Sequence, residues 1–267
     1  PNIDAKTNPK IATGLHSTKF GLVEEEALEL ARRLKENAHA DLIGIACHIG
    51  SQITTVRPLE MAAARMADLA NRLKEAGHPL QFVDMGGGLG IRYRDENPPE
   101  LSDYANALIG QIAQTGLKLV IEPGRVLMGN VGILLTEVIG VKQTPVKTFV
   151  VVDGAMNDLL RPSMYDSYHD ILPVLQNDDE DNAIIADVVG PICESGDFLG
   201  KDRKMPRPKQ GDLLLVRGCG AYASAMASQY NSRPRAAELL IEGKDVRLIR
   251  KRETLAEIWE NERELLS

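Results

Sequence analysis

In the first half of the chain the apolar positions switch repeatedly between a helical repeat of about 3.6 residues and short unbroken runs. Glu24 to Asn37 carries Ala27, Leu28, Ala31 and Leu34 as a helical stripe. Leu42 to His48 is a short apolar run ending at Gly50, which reads as a buried strand. Pro58 to Ala76 reads as a second helix, with Pro58 in its first turn and Gly77 just past its end. Leu80 to Asp84 is a strand, Leu101 to Gln114 a helix, and Leu117 to Ile121 another strand. This alternation is the pattern of a parallel sheet with helices packed outside.

Past Met128 the pattern changes. Val131 to Val141, Thr148 to Asp153, Ala183 to Val189, Asp212 to Arg217, Ala237 to Ile241 and Val246 to Ile249 are strand-like, with short connections. A short helix is expected around Ala221 to Tyr230 and a last one at Glu253 to Glu260. The expected class is therefore α/β: the C-terminal part of a (β/α)8 TIM-type barrel over 1–128, then an antiparallel β domain over 129–267. Only about three strand–helix units precede the switch, whereas a closed barrel needs eight strands and ~250 residues. With Pro1-Asn2-Ile3-Asp4 at its start, the sequence is expected to begin inside a domain.

Composition narrows the functional classes. A chain of 267 residues, 43% hydrophobic, can bury a sizeable core. A net charge of −7 argues against a nucleic-acid or anionic-membrane surface. The densest basic stretch, Lys201 to Lys209, is broken by prolines and reads as a loop. No run approaches the roughly 20 apolar residues of a membrane span. No secretory signal opens the sequence. Three cysteines at wide spacing make no disulfide framework, so a reducing cytoplasm is the expected compartment.

The chemistry gathers where strands end. In parallel α/β folds the loops after the strands build the active site. Three such loops are His48-Ile49-Gly50-Ser51-Gln52, Gly86-Gly87-Gly88 and Glu122-Pro123-Gly124-Arg125. The flat ring of His48 could stack on an aromatic cofactor, or be a hydrogen-bonded structural histidine. Ser51 and the backbone of Gly86 to Gly88 can offer donors to a phosphate, although a triple glycine also suits a plain tight turn. Glu122 could keep a pyridine nitrogen protonated, or simply pair with Arg125, whose planar fork suits a carboxylate or phosphate. The β half adds Arg161-Pro162-Ser163-Met164-Tyr165 in a loop and Gly190-Pro191-Ile192-Cys193-Glu194-Ser195-Gly196-Asp197. It also adds Gly218-Cys219-Gly220-Ala221-Tyr222, which is expected to open a helix. Cys193 lies in a Gly/Pro loop and could exchange a proton, while Cys47 reads as core.

Taken together and in this order, His-Ile-Gly-Ser-Gln, Gly-Gly-Gly-Leu-Gly, Glu-Pro-Gly-Arg, Arg-Pro-Ser-Met-Tyr, Cys-Glu-Ser and Gly-Ala-Tyr make the chain resemble the diaminopimelate decarboxylases. The similarity runs from Thr13 to about Trp259. These are pyridoxal 5'-phosphate enzymes of the alanine-racemase-like fold, a (β/α)8 barrel plus a β domain. The resemblance implies that His48 stacks on the cofactor ring and that Ser51, Gly87, Gly88 and the backbone at Gly124 hold its phosphate. It implies that Glu122 meets the ring nitrogen, and that Arg125, Arg161 and Tyr165 bind the amino-acid substrate. Cys193 would be the proton donor, Glu194 would hold the distal ammonium, and Tyr222 would lie near phosphate and substrate. Cys193 and Glu194 would serve the partner subunit's site, making the active unit a homodimer. No metal is implied. The family anchors its cofactor through a lysine on the first barrel strand. That segment is not among these residues, and Lys19 matches a different one. The fragment alone is therefore expected to be inactive, and to need the missing N-terminal segment to close its barrel. A decarboxylase of the same fold acting on another diamino acid, and a non-catalytic relative lacking the lysine, are the alternative readings.

Overall fold

The computed structural model describes residues 1–175, 183–263 and 265. The chain divides into two units, Pro1–Met128 and Gly129–Ser267.

The first unit contains α1 (Glu24–Leu34), β1 (Gly44–Ala46), α2 (Arg57–Glu75), β2 (Phe82–Asp84), α3 (Leu101–Ile112), β3 (Lys118–Val120) and α4 (Arg125–Met128). The three strands pair in sequence order and all run parallel. Register puts Ile45, Val83 and Leu119 side by side, and this row faces the helices. Against it α2 presents Leu59, Ala62, Ala63, Met66, Ala67, Ala70 and Leu73, buried at helical spacing. Small alanines let that helix sit close to its neighbours. α3 adds Tyr104, Leu108 and Ile112 at four-residue spacing. The ladders are shorter than the apolar runs that announced them, because Leu42, Ile43, Leu117 and Ile121 flank the paired residues. On the opposite face the Phe82 ring occupies the space a Cβ on Gly44 would need, and Ala46 and Val120 are exposed.

The second unit contains β4 (Leu134–Gln143), β5 (Thr148–Val152), α5 (Arg161–Tyr165), β6 (Ile171–Pro173), β7 (Ala183–Val189), β8 (Phe198–Pro206), β9 (Leu213–Val216), β10 (Glu238–Glu242), β11 (Asp245–Arg250), α6 (Leu255–Ile258) and α7 (Glu260–Arg263). Six strands form one sheet in the order β6, β9, β4, β5, β7, β8, while β10 and β11 form a separate ribbon. Its core includes Val138, Val150, Val188, Leu199, Leu214 and Val216. The pairing is antiparallel except between β5 and β7, which run parallel from Thr148↔Ala186 to Val151↔Val189. A parallel pair needs a long crossover, and the connection through α5 and β6 supplies one.

Three local expectations are corrected. Lys201 to Pro206 is not loop but the greater part of β8, the last strand in the sheet order, with Lys201, Asp202 and Lys204 exposed. Arg161–Tyr165 is a helical turn with Pro162 in its first turn, ended by Asp166 at φ +54. Gly218 to Tyr222 opens no α-helix, because Tyr222 has φ +61; only the 3-10 turns Ser224–Met226 and Tyr230–Ser232 lie between it and β10.

Two neighbours in α3 should respond oppositely in urea titrations of the intact protein. Leu108→Ala empties a site 1% exposed and should lower stability by ~2–5 kcal/mol. Gly110→Ala meets nothing within 4 Å and should raise it by ~0.5–1 kcal/mol.

Candidate active site

In the first unit the tips of β1, β2 and β3 are sewn together by backbone. The Glu122 N–H donates to the Gly86 carbonyl at 2.8 Å, the Ile53 N–H to the Gly88 carbonyl at 2.8 Å, and the Met85 N–H to the Val120 carbonyl at 3.0 Å. The carboxylate of Asp84 accepts from the Gly86 N–H at 2.8 Å. A Cβ on Gly87 would collide with the Glu122 carbonyl, and one on Gly88 with the Gly50 carbonyl; Gly88 also has φ +103. From the N-terminal segment, the Thr13 hydroxyl donates to the His48 carbonyl at 2.7 Å and the Thr7 hydroxyl to the Ser51 carbonyl at 2.5 Å.

These ties set the side chains. The Gly87 N–H donates to His48 Nδ1 at 3.2 Å, so the neutral ring carries its proton on Nε2. Burial of the ring's inner edge pushes the His48 pKa below its usual 6.5, while the Glu122 and Asp84 carboxylates pull it the other way. Arg125 is 6% exposed. Its Nη2 donates to Ser51 Oγ at 2.9 Å and its Nη1 to the Tyr93 hydroxyl at 2.7 Å. The arginine expected on the rim thus reaches inward and orients Ser51. Glu122 and Gly124 are exposed, and a Cβ at Gly124 would meet nothing within 4 Å.

In the second unit the loop Gly190 to Asp197 is fastened from below. Asp197 Oδ1 accepts from the Met156 N–H and its Oδ2 from the Ile192 N–H, each at 2.7 Å. Burial raises the Asp197 pKa, and those two N–H groups work against the rise. A side chain on Gly190 would overlap this carboxylate. Cys193 and Glu194 are left exposed, with Glu194 accepting from the Tyr230 hydroxyl at 2.6 Å, a bond that raises the tyrosine's pKa. Burial pushes the Cys47 thiol up to about 11 and the Cys219 thiol up to about 12, so neither is a ready proton source. Arg161 is 5% exposed and lies against His169, while Tyr165 is half-buried and Tyr222 exposed.

His48, Ser51, Gly87, Gly88, Glu122, Gly124 and Arg125 are all brought together at the strand tips of the first unit. Arg161, Tyr165, Cys193, Glu194 and Tyr222 belong to the second. Sequence reasoning assigned no role to Tyr93, His169, Asp197 or Tyr230. Asp197 had a visible signal, closing the Cys-Glu-Ser-Gly-Asp run; the other three had none beyond their residue type. Among the described residues no cluster of His, Cys, Asp and Glu could hold a metal ion, and no helix is long and apolar enough to cross a membrane.

Residues 82–220 match the family profile described as "Pyridoxal-dependent decarboxylase, C-terminal sheet domain". The chain belongs to the pyridoxal-dependent decarboxylase family. Residues 1–129 match the profile for the pyridoxal binding domain of the same decarboxylases. The chain is 50% identical over 262 residues to diaminopimelate decarboxylase of Neisseria meningitidis serogroup B, covering 98% of this chain and 63% of that protein. It is 45% identical over 260 residues to the Vibrio cholerae diaminopimelate decarboxylase, covering 97% of this chain and 62% of that one. The crystal structure of diaminopimelate decarboxylase from Helicobacter pylori complexed with L-lysine superimposes with a TM-score of 0.94 at 42% identity, covering 99% of this chain and 65% of that one. The chain therefore spans about 63% of the length of the curated relatives it matches.

Pyridoxal phosphate has an anionic tail, a flat ring and a basic ring nitrogen. The strand tips fit each: glycines whose backbone has no room for a side chain, an exposed imidazole, and an exposed carboxylate on Glu122. Gly88→Ala should weaken pyridoxal phosphate binding by about five- to 150-fold in an absorbance titration of the intact protein, since strain at a left-handed position costs roughly 1–3 kcal/mol.

The shifted His48 also has a pH signature. A base with a depressed folded pKa contributes stability fully above its unfolded value of 6.5, and loses it as the pH falls through the window below. Protonation removes the acceptor for the Gly87 N–H. The Gly87 amide should exchange faster with solvent deuterium, relative to intrinsic rates, as the pH drops below 6.5, and His48→Gln should flatten that dependence.

Proposed function

We propose that the protein decarboxylates meso-2,6-diaminopimelate to L-lysine with pyridoxal 5'-phosphate as cofactor. The observation that carries this reading is an exposed thiol beside an exposed carboxylate, Cys193 and Glu194, on a loop held in shape by buried Asp197. The names of the Neisseria and Vibrio relatives, and the lysine in the Helicobacter complex, support it.

Bound pyridoxal phosphate supplies an electron sink for the charge left when carbon dioxide departs. Ser51, Gly87, Gly88 and the backbone at Gly124 hold the phosphate, and Arg125 keeps Ser51 aimed. His48 would lie along the ring, and the Glu122 carboxylate would keep the ring nitrogen protonated. Arg161 and Tyr165 take the distal carboxylate of the substrate, and Glu194 takes its distal ammonium. Cys193 donates the proton that replaces carbon dioxide. Tyr222, held at φ +61, would lie near phosphate and substrate. Cys193 and Glu194 act in the partner subunit's site, so the working unit is a cytoplasmic homodimer.

A buried cation that expects a carboxylate rejects substrates without one. Ornithine and lysine lack the distal carboxylate that Arg161 would meet. Carbon dioxide release by the intact protein should therefore favour diaminopimelate over ornithine by about 10⁴ in kcat/KM. Cys193→Ala should lower kcat by ~10²–10⁴ with KM within a few fold. Equal turnover of ornithine, or an unimpaired Cys193→Ala enzyme, would sink the reading.

A further inference from the structure

The second unit holds a fully buried imidazole that the mechanism above does not use. His169 is 0% exposed. Its Nε2 lies 2.8 Å from Arg161 Nη1, and its Nδ1 lies 2.8 Å from the Arg217 carbonyl oxygen. The chemistry of the two partners fixes the state of the ring. A carbonyl oxygen only accepts, so Nδ1 carries a hydrogen. A guanidinium only donates, so Nε2 presents its lone pair. The ring is neutral and in one tautomer, with arginine on one side and backbone on the other.

The anchor on the backbone side is firm. The β6–β9 ladder pairs Ile171 with Val216, and the Arg217 N–H donates to the Asp170 carbonyl at 2.9 Å, continuing that ladder to the residue beside His169. Cys219 Sγ lies 3.9 Å from His169 Nδ1, and burial keeps that thiol protonated, so it brings no charge to the ring. On the other side, α5 ends at Asp166, whose left-handed backbone turns the chain and lets His169 come back against Arg161, eight residues earlier. The ring joins the sheet to the first residue of α5.

We propose that His169 is a positioning residue: as a neutral acceptor anchored on the β6–β9 ladder, it fixes the plane of the Arg161 guanidinium and so sets the preference for a substrate with a distal carboxylate. This rests on the reading that Arg161 binds that carboxylate. A planar fork recognises a carboxylate only in the correct orientation, so a guanidinium free to rotate would keep its charge and lose its selectivity.

The two ring nitrogens can be tested separately in the intact enzyme. His169→Asn keeps a donor near the Nδ1 position and removes the acceptor at Nε2. His169→Gln keeps an acceptor near Nε2 and removes the donor at Nδ1. Loss of a hydrogen bond to a charged group corresponds to about ten- to hundredfold. His169→Asn should therefore raise KM for diaminopimelate at least about tenfold with kcat within about threefold. His169→Gln should hold KM within about threefold, even though its Tm falls further than that of His169→Asn. If KM instead rises more in His169→Gln, or follows Tm in both variants, the ring is a structural plug and the proposal is overturned. Arg161→Gln separates the two layers. An unchanged KM in Arg161→Gln overturns the substrate reading and the proposal together. A raised KM there with a normal His169→Asn enzyme overturns only the role of His169.

Discussion

The arrangement of the first unit depends on two residues that lack side chains. At Gly87 and Gly88 the places where Cβ atoms would sit are taken by the carbonyls of Glu122 and Gly50, residues of the two flanking strand tips. Only there can the tip of β2 lie so close between its neighbours. The closeness lets backbone donors and acceptors pair across the gaps, and an unpaired buried backbone group would be costly. Once the tips are sewn, His48, Ser51 and Glu122 have little freedom in where they stand. The cofactor-facing groups are products of backbone packing before they are products of side-chain choice.

The second unit solves a similar problem with buried polar side chains. Asp197 ties the loop of Cys193 and Glu194 to the backbone at Met156, and His169 ties Arg161 to the sheet. Each tie takes polar atoms out of water, and each satisfies them with short hydrogen bonds, so burial adds rigidity instead of cost. In the first unit Arg125 donates from its two terminal nitrogens to Tyr93 and Ser51. His48, Glu122, Cys193 and Glu194 are exposed, and a buried polar residue, Asp197, stands behind the last two.

Much of this was legible from the chain. Pro58 and Gly77 bracket α2 because proline suits a helix start and glycine, here at φ +85, suits its end. The glycine run after Asp84 announced a close backbone approach. Cys193, set among turn-formers, differed visibly from Cys47 and Cys219. β8 looked like loop because prolines and basic residues break its apolar pattern, and the Gly218 segment looked helical because the positive φ of Tyr222 leaves no trace in composition.

The sequence by itself determined the alternating helices and strands of the first unit, where the pattern changes, and which residue types could serve a phosphorylated, aromatic cofactor. Those features are written in neighbouring residues, since periodicity records the buried face and proline and glycine record local backbone. Only the tertiary structure decided that β5 and β7 run parallel, that Arg125 spans 74 residues to orient Ser51, and that His169 reaches 48 residues to the Arg217 carbonyl while holding Arg161. Such pairings depend on which distant surfaces close on one another, and no local pattern encodes the partner of a polar group until packing has excluded water from both.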